Sequence, residues 1–136
     1  MPQRGDFSLN PDWHEGRPAD RVLKPAAVLI PIIERRESLR VLFTRRADHL
    51  ARHAGQVSFP GGRFHEDDVD PIAAALRETE EEVGLSRAFV DVRGELDRYE
   101  TGTGFEIHPF VGFVREGFEL KIDKSEVAEA FEVPLS

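Results

Sequence analysis

The apolar residues of this chain fall into blocks with different periods, and the periods name the elements. Ala26-Ala27-Val28-Leu29-Ile30-Pro31-Ile32-Ile33 is a continuous apolar run, the pattern of a strand covered on both faces. Pro31 has no N–H to give to a ladder, so a bulge or an unpaired edge is expected there. Glu34 to Ser38 is a charged turn and Leu39 to Thr44 a second β-prone run, so the two runs read as a hairpin. The pattern then lapses over residues 45–70, which hold Gly55, Pro60, Gly61 and Gly62. A connection this long without a period is usually functional or mobile.

Helical spacing follows. Asp70 is placed as an N-cap and Pro71 as the first helical residue. Ile72, Ala73, Leu76 and Val83 supply a buried face, and Gly84 a stop. Val90 to Tyr99 alternates, and Phe105 to Val114 is rich in Phe, Ile and Val, so both read as strands around a Thr101–Gly104 loop. Ser125 is expected to cap a last helix that carries Glu126 and Glu129 and closes at Pro134. The order β, β, helix, β, β, helix predicts a mixed α/β domain.

Composition narrows the function. A length of 136 residues predicts one domain, residues 21–136, behind a polar lead-in over residues 1–20. No apolar run approaches the roughly 18 residues of a membrane span, and the N-terminus has no signal-peptide core. No membrane partner and a cytoplasmic location are therefore expected. The absence of cysteine removes disulfides, thiolate zinc and a cysteine nucleophile. The formal charge of −8, from 26 acids against 18 bases, argues against nucleic acid as a partner. A small anionic substrate stays compatible if cations offset the field, and Arg45, Arg46 and Arg52 form a local basic cluster.

The densest chemistry is Arg77-Glu78-Thr79-Glu80-Glu81-Glu82-Val83-Gly84-Leu85. Glu78, Glu81 and Glu82 lie at i, i+3 and i+4, so on a helix they share one face. Like charges there repel unless something positive lies against them, and Mg²⁺ or Mn²⁺ prefers such oxygen ligands. A metal site is the leading reading. The plain alternative is a solvated acidic face with Arg77 and Glu81 as an i, i+4 pair.

Gly62 followed by Arg77-Glu78-x-x-Glu81-Glu82-x-Gly84-Leu85 resembles the signature of the Nudix hydrolases, pyrophosphatases of nucleoside diphosphates linked to another group. Upstream, Leu42-Phe43-Thr44-Arg45-Arg46, then Leu50, His53, Gly55-Gln56-Val57-Ser58 and Phe59-Pro60-Gly61-Gly62, looks like the extra motif of the coenzyme A diphosphatase branch. The resemblance implies an α/β/α sandwich around a mixed sheet. It implies Glu78 and Glu82 as main metal ligands, and Glu81 as a third ligand or the residue orienting the attacking water. Arg77 would fix a carboxylate's rotamer. On the substrate side it points to Arg45, Arg46, His53, Gly55, Gln56, Gly61 and Gly62. Arginine forks suit phosphates, and glycines let backbone N–H groups approach them.

Gly62 and Arg77 enclose fourteen residues, one more than the usual interval, and the acid in it is Asp68 where the family has glutamate. Thr79 stands where an aliphatic residue is common. Relatives commonly continue past Ser136 with another helical segment. Competing readings are a pyrophosphatase for another substrate such as ADP-ribose or a nucleoside triphosphate, a non-catalytic nucleotide-sensing module, and a protein-interaction domain. Homodimerisation is open.

Overall fold

A computed structural model describes residues 22–50 and 54–135; the lead-in over residues 1–20, Arg52 and His53 lie outside the described residues. Eight strands form one sheet: β1 (Lys24–Arg35), β2 (Ser38–Arg46), β3 (Val57–Ser58), β4 (Gly61–Arg63), β5 (Val90–Glu95), β6 (Tyr99–Glu100), β7 (Phe105–Val114) and β8 (Val127–Pro134). Helix α1 spans Pro71–Val83, and a 3₁₀ turn spans Arg87–Phe89. The sheet is mixed, as expected of an α/β fold. β1 pairs with β2 and β4 antiparallel and with β7 parallel, while β5 and β6 flank β7 and β8 flanks β2.

Strand β1 is central and changes partner along one side, from β4 at Ala26–Val28 to β2 at Ile32–Arg35. Pro31 falls in the gap between them. Strand alternation turns its nitrogen the same way as the Leu29 N–H, which donates to the Pro60 carbonyl at 2.9 Å. The missing donor is thus tolerated inside the sheet, at a break in the ladder and not at a bulge or an edge.

Helix α1 forms as its caps dictate. The Asp70 carboxylate accepts from Ala73 N–H at 2.7 Å, and Gly84, at φ 74°, closes the last turn onto the Glu80 carbonyl. A side chain at Gly84 would meet the Lys121 backbone nitrogen at 2.7 Å. The helix buries Ala74, Ala75, Thr79 and Val83, so the buried stripe is rotated from the expected one, and Ile72, Ala73 and Leu76 are only half-buried. Small residues at 74 and 75 let α1 lie close over β1, against Ala27, Leu29 and Phe110. Its C-terminal half closes a second cluster of Ile33, Leu42, Val83, Leu85 and Val114. Each fully buried aliphatic side chain contributes roughly 1.5–3 kcal/mol.

The expected last helix is a strand. β8 pairs antiparallel with β2 from Arg40↔Pro134 to Arg46↔Val127. Asp123, not Ser125, organises the turn before it, accepting from Ser125 N–H and Oγ. Glu132 then ties β8 to the hairpin by meeting Arg35 and Arg40, and Phe131 stacks on Phe43. The expected Val90–Tyr99 strand also breaks, into β5 and β6. Residues 45–70, aperiodic in sequence, hold the short strands β3 and β4.

Candidate active site

The carboxylates of α1 are fixed from both ends of the helix. Near its start, Asp68 takes the Arg77 guanidinium through two parallel hydrogen bonds, Nε to Oδ1 at 2.9 Å and Nη2 to Oδ2 at 3.0 Å. Arg77 also donates to Glu78 at 3.1 Å, to Glu81 at 3.4 Å and to the Arg63 carbonyl at 3.2 Å. Asp68 is therefore the acid that holds Arg77, and it takes the His65 backbone N–H as well. These contacts keep the Asp68 carboxyl at about 2, chiefly through the Arg77 hydrogen bonds, and raise the Arg77 guanidinium above its ordinary value.

At the other end, the last carbonyls of α1 need partners from outside the helix. Lys121 N–H donates to the Val83 carbonyl and Asp123 N–H to the Glu82 carbonyl. The loop before β8 is thereby docked on the helix end, and Glu126, whose carbonyl accepts from Ala47 N–H, comes to face Glu82.

A cavity of about 270 Å³ results, lined by His65, Glu78, Glu81, Glu82, Asp123 and Glu126. Glu82 is its innermost member and accepts from Gly61 N–H at 3.3 Å. Burial, reinforced by the charges of Glu78 and Glu126, pushes the Glu82 carboxyl up to about 8 against the pull of that N–H and of Arg46. Burial also raises Glu78. Carboxylates held back from ionising by burial and by one another's charge are what a hard divalent cation would relieve. Among the described residues, no three His, Asp or Glu side chains are already gathered at ligating distance. The donors nevertheless share one cleft and are oxygen donors throughout apart from His65, so the set fits Mg²⁺ or Mn²⁺ in kind.

Gly61 and Gly62 of β4 form the wall behind these acids. A Cβ at Gly62 would lie 2.7 Å from the Glu78 carboxyl carbon, and one at Gly61 would collide with the Ala27 carbonyl at 2.3 Å. The same two glycines floor a larger cleft of about 600 Å³, whose rim includes Gln56, Ser58, Arg63, Tyr99 and Thr101. It opens on the sheet face away from α1, because Val28 and Ile107 line it while Ala27 and Leu29 pack under the helix. A mostly apolar neighbour of about 470 Å³ shares Val28, Phe59 and Tyr99 with it.

Of the residues expected from sequence, Arg77, Glu78, Glu81 and Glu82 come together, and Gln56, Gly61 and Gly62 line the larger cleft. Arg46 lines a narrow pocket with Glu82 and Glu126. Arg45 is engaged elsewhere, with Glu129 at 3.1 Å and Asp48 at 3.0 Å. Gly55 shapes the turn after β2, at φ 74°, and donates to the Arg46 carbonyl. His65, Asp123, Arg63 and Tyr99 escaped sequence reasoning, because no spacing marks a residue brought in by a docked loop, as His65 and Asp123 are, or by the pairing of a short strand, as Arg63 and Tyr99 are. Among the described residues, no helix is long and apolar enough to cross a membrane.

A family model described as the NUDIX domain matches residues 23–136. The uncharacterized Nudix hydrolase NudL of Yersinia enterocolitica is 44% identical over 135 residues, 99% of this chain but 63% of that protein. The chain thus corresponds to only part of that relative's length. Among solved structures, a C. elegans Ap4A hydrolase binary complex superposes with a TM-score of 0.68 at 15% identity, over 79% of this chain and 77% of that one. The NUDIX domain of Shewanella oneidensis NrtR, complexed with ADP ribose, gives 0.63 at 14% identity, over 93% and 83%. At such identities the likeness is one of fold.

Proposed function

The chain belongs to the Nudix family, and from that premise we propose that it is a metal-dependent pyrophosphatase whose substrate is coenzyme A or an acyl derivative. The products would be 3′,5′-ADP and 4′-phosphopantetheine or its acylated form. One observation carries the reading. Glu78, Glu81, Glu82 and Glu126 converge on one cleft, and the Gly61–Gly62 wall behind it also floors a cleft large enough for a nucleotide derivative.

When bound, Mg²⁺ or Mn²⁺ would supply charge neutralisation and a water of lowered pKa. Glu78 and Glu82 are the residues to hold it. Glu81, the most exposed of the three, is left to orient the attacking water, while Arg77 fixes the Glu78 rotamer. Without a cation the cleft would repel its substrate. Each uncompensated pair of like charges at ~4 Å costs on the order of 4 kcal/mol at an effective dielectric near 20. The coenzyme A assignment rests on the Leu42–Gly62 motif, which delivers Arg46, Gln56, Gly61 and Gly62 to the walls of these cavities.

A second reading is a pyrophosphatase for another nucleoside diphosphate derivative. The hydrogen-bonding rim of Gln56, Ser58 and Thr101 would suit a nucleoside of any such compound. Similar folds carry Ap4A-hydrolase and ADP-ribose-complex descriptions. Hydrolysis of coenzyme A, ADP-ribose and diadenosine tetraphosphate with Mg²⁺ or Mn²⁺, run beside Glu82→Gln, decides between them. Metal-dependent release of 3′,5′-ADP, abolished in Glu82→Gln, supports the first reading. Turnover of ADP-ribose alone supports the second, and turnover of none overturns both.

A further inference from the structure

Five of the six side chains lining the 270 Å³ cleft are carboxylates; the sixth is His65. An ionised carboxylate only accepts hydrogen bonds, and so do the non-bridging oxygens of a diphosphate. Among the described residues, His65 is therefore the one lining side chain of this cleft that can both donate a hydrogen bond and carry positive charge. Its position is built into the fold. The His65 backbone N–H donates to Asp68 Oδ2 at 2.6 Å, and Asp68 N–H returns to the His65 carbonyl at 3.0 Å. The same Asp68 carboxylate grips Arg77. The turn carrying the imidazole is thus pinned to the helix carrying the glutamates, while the imidazole itself is exposed to the cleft mouth.

We infer that His65 contacts the diphosphate of the substrate, donating a hydrogen bond to a non-bridging phosphoryl oxygen beside Glu78 and Glu82. The inference rests on the hydrolase reading above and adds a substrate contact to it. A donor held there in advance favours the charge that builds on the phosphoryl group as the anhydride breaks. His65 neither takes nor keeps a proton in this role, so no step of the hydrolysis is rerouted.

The test compares the unaltered chain with His65→Ala and His65→Gln, on coenzyme A and ADP-ribose at saturating Mg²⁺. Hydrogen bonds to charged groups are of a size that predicts a loss of about ten- to hundredfold in kcat/KM for His65→Ala. The melting temperature and the Mg²⁺ concentration for half-maximal activity should not move. His65→Gln, which keeps an N–H donor, should recover most of the loss. Added imidazole should restore part of it in His65→Ala, since the side chain is exposed. Titration calorimetry with the uncleavable methylene analogue of ADP and Mg²⁺ should show weaker binding in His65→Ala. Full turnover and binding in His65→Ala would overturn the inference while leaving the hydrolase reading intact. So would a loss that neither glutamine nor imidazole repairs and that tracks a fall in melting temperature. No turnover by the unaltered chain on either substrate would instead overturn the hydrolase reading, and the inference with it.

Discussion

Asp68 and Arg77 form a two-pronged pair, with Nε–Oδ1 at 2.9 Å and Nη2–Oδ2 at 3.0 Å, and the Asp68 side chain is only 5% exposed. The pair locks the loop after β4 to the helix that carries the acids. Planar two-point contact is specific to a carboxylate facing a guanidinium. Asp68→Ala should therefore lower metal-dependent activity about ten- to hundredfold by releasing the groups behind Glu78. Steady-state kinetics with a Mg²⁺ titration is the check; unchanged kinetics would reduce the pair to a surface tie.

The same pair sets an acid limb of stability. The Asp68 carboxyl lies at about 2 against 3.8 for a free aspartate, chiefly because of the Arg77 hydrogen bonds. A depressed folded-state value means the contribution is fully present above 3.8 and is lost as pH falls from there through about 2. Melting temperatures of the unaltered chain and Asp68→Asn should therefore differ most at neutral pH and converge toward pH 2.

Gly61 and Gly62 should fail in different ways when replaced by alanine. At Gly62 the added methyl meets the end of the Glu78 side chain, which can swing aside, so the fold survives and metal-dependent activity falls. At Gly61 it meets the β1 backbone at Ala27 and Val28, which cannot yield without breaking the β1–β4 ladder. Gly61→Ala should cost stability on the order of 2 kcal/mol or more, seen as a lower urea midpoint. Equal melting curves for the two variants would contradict this division.

Thr79 is buried, and its hydroxyl donates to the Ala75 carbonyl at 2.7 Å within the helix. That carbonyl already accepts the regular helical bond, and such back-bonding is mildly unfavourable. Thr79→Val should therefore hold or raise stability, by less than about 1 kcal/mol. A loss well beyond that in chemical denaturation would show the hydroxyl to be required.

What the sequence disclosed follows from how local each signal is. Asp70, Pro71 and Gly84 act within a few residues of themselves, and α1 begins and ends where they place it. The Ala26–Ile33 and Leu39–Thr44 runs likewise lie in β1 and β2. Residues 125–134 misled because Ser125 and the spaced glutamates imitate a capped helix. The alternation of Val127, Phe131 and Val133 with Glu132 matters only once β2 is there to pair with. The acids on α1 were legible because one helix face gathers them. Asp123 reaches the cleft through a backbone bond to Glu82, far along the chain, His65 sits there because its neighbour Asp68 grips Arg77 on α1, and Arg45 is diverted by Glu129 on β8.

The Gly61–Gly62 strand backs the carboxylates on one side, where the Gly61 N–H meets Glu82 and Gly62 abuts Glu78, and floors the 600 Å³ cleft on the other. Any molecule that fills both must cross the sheet over that short stretch of bare backbone. For such a molecule the strand would act as a ruler: the bond brought to the acids would be selected by its span from the anchored group, and less by its own reactivity. Compounds lengthened by one phosphate should be cut at the same reach from the anchor, and so release a different fragment.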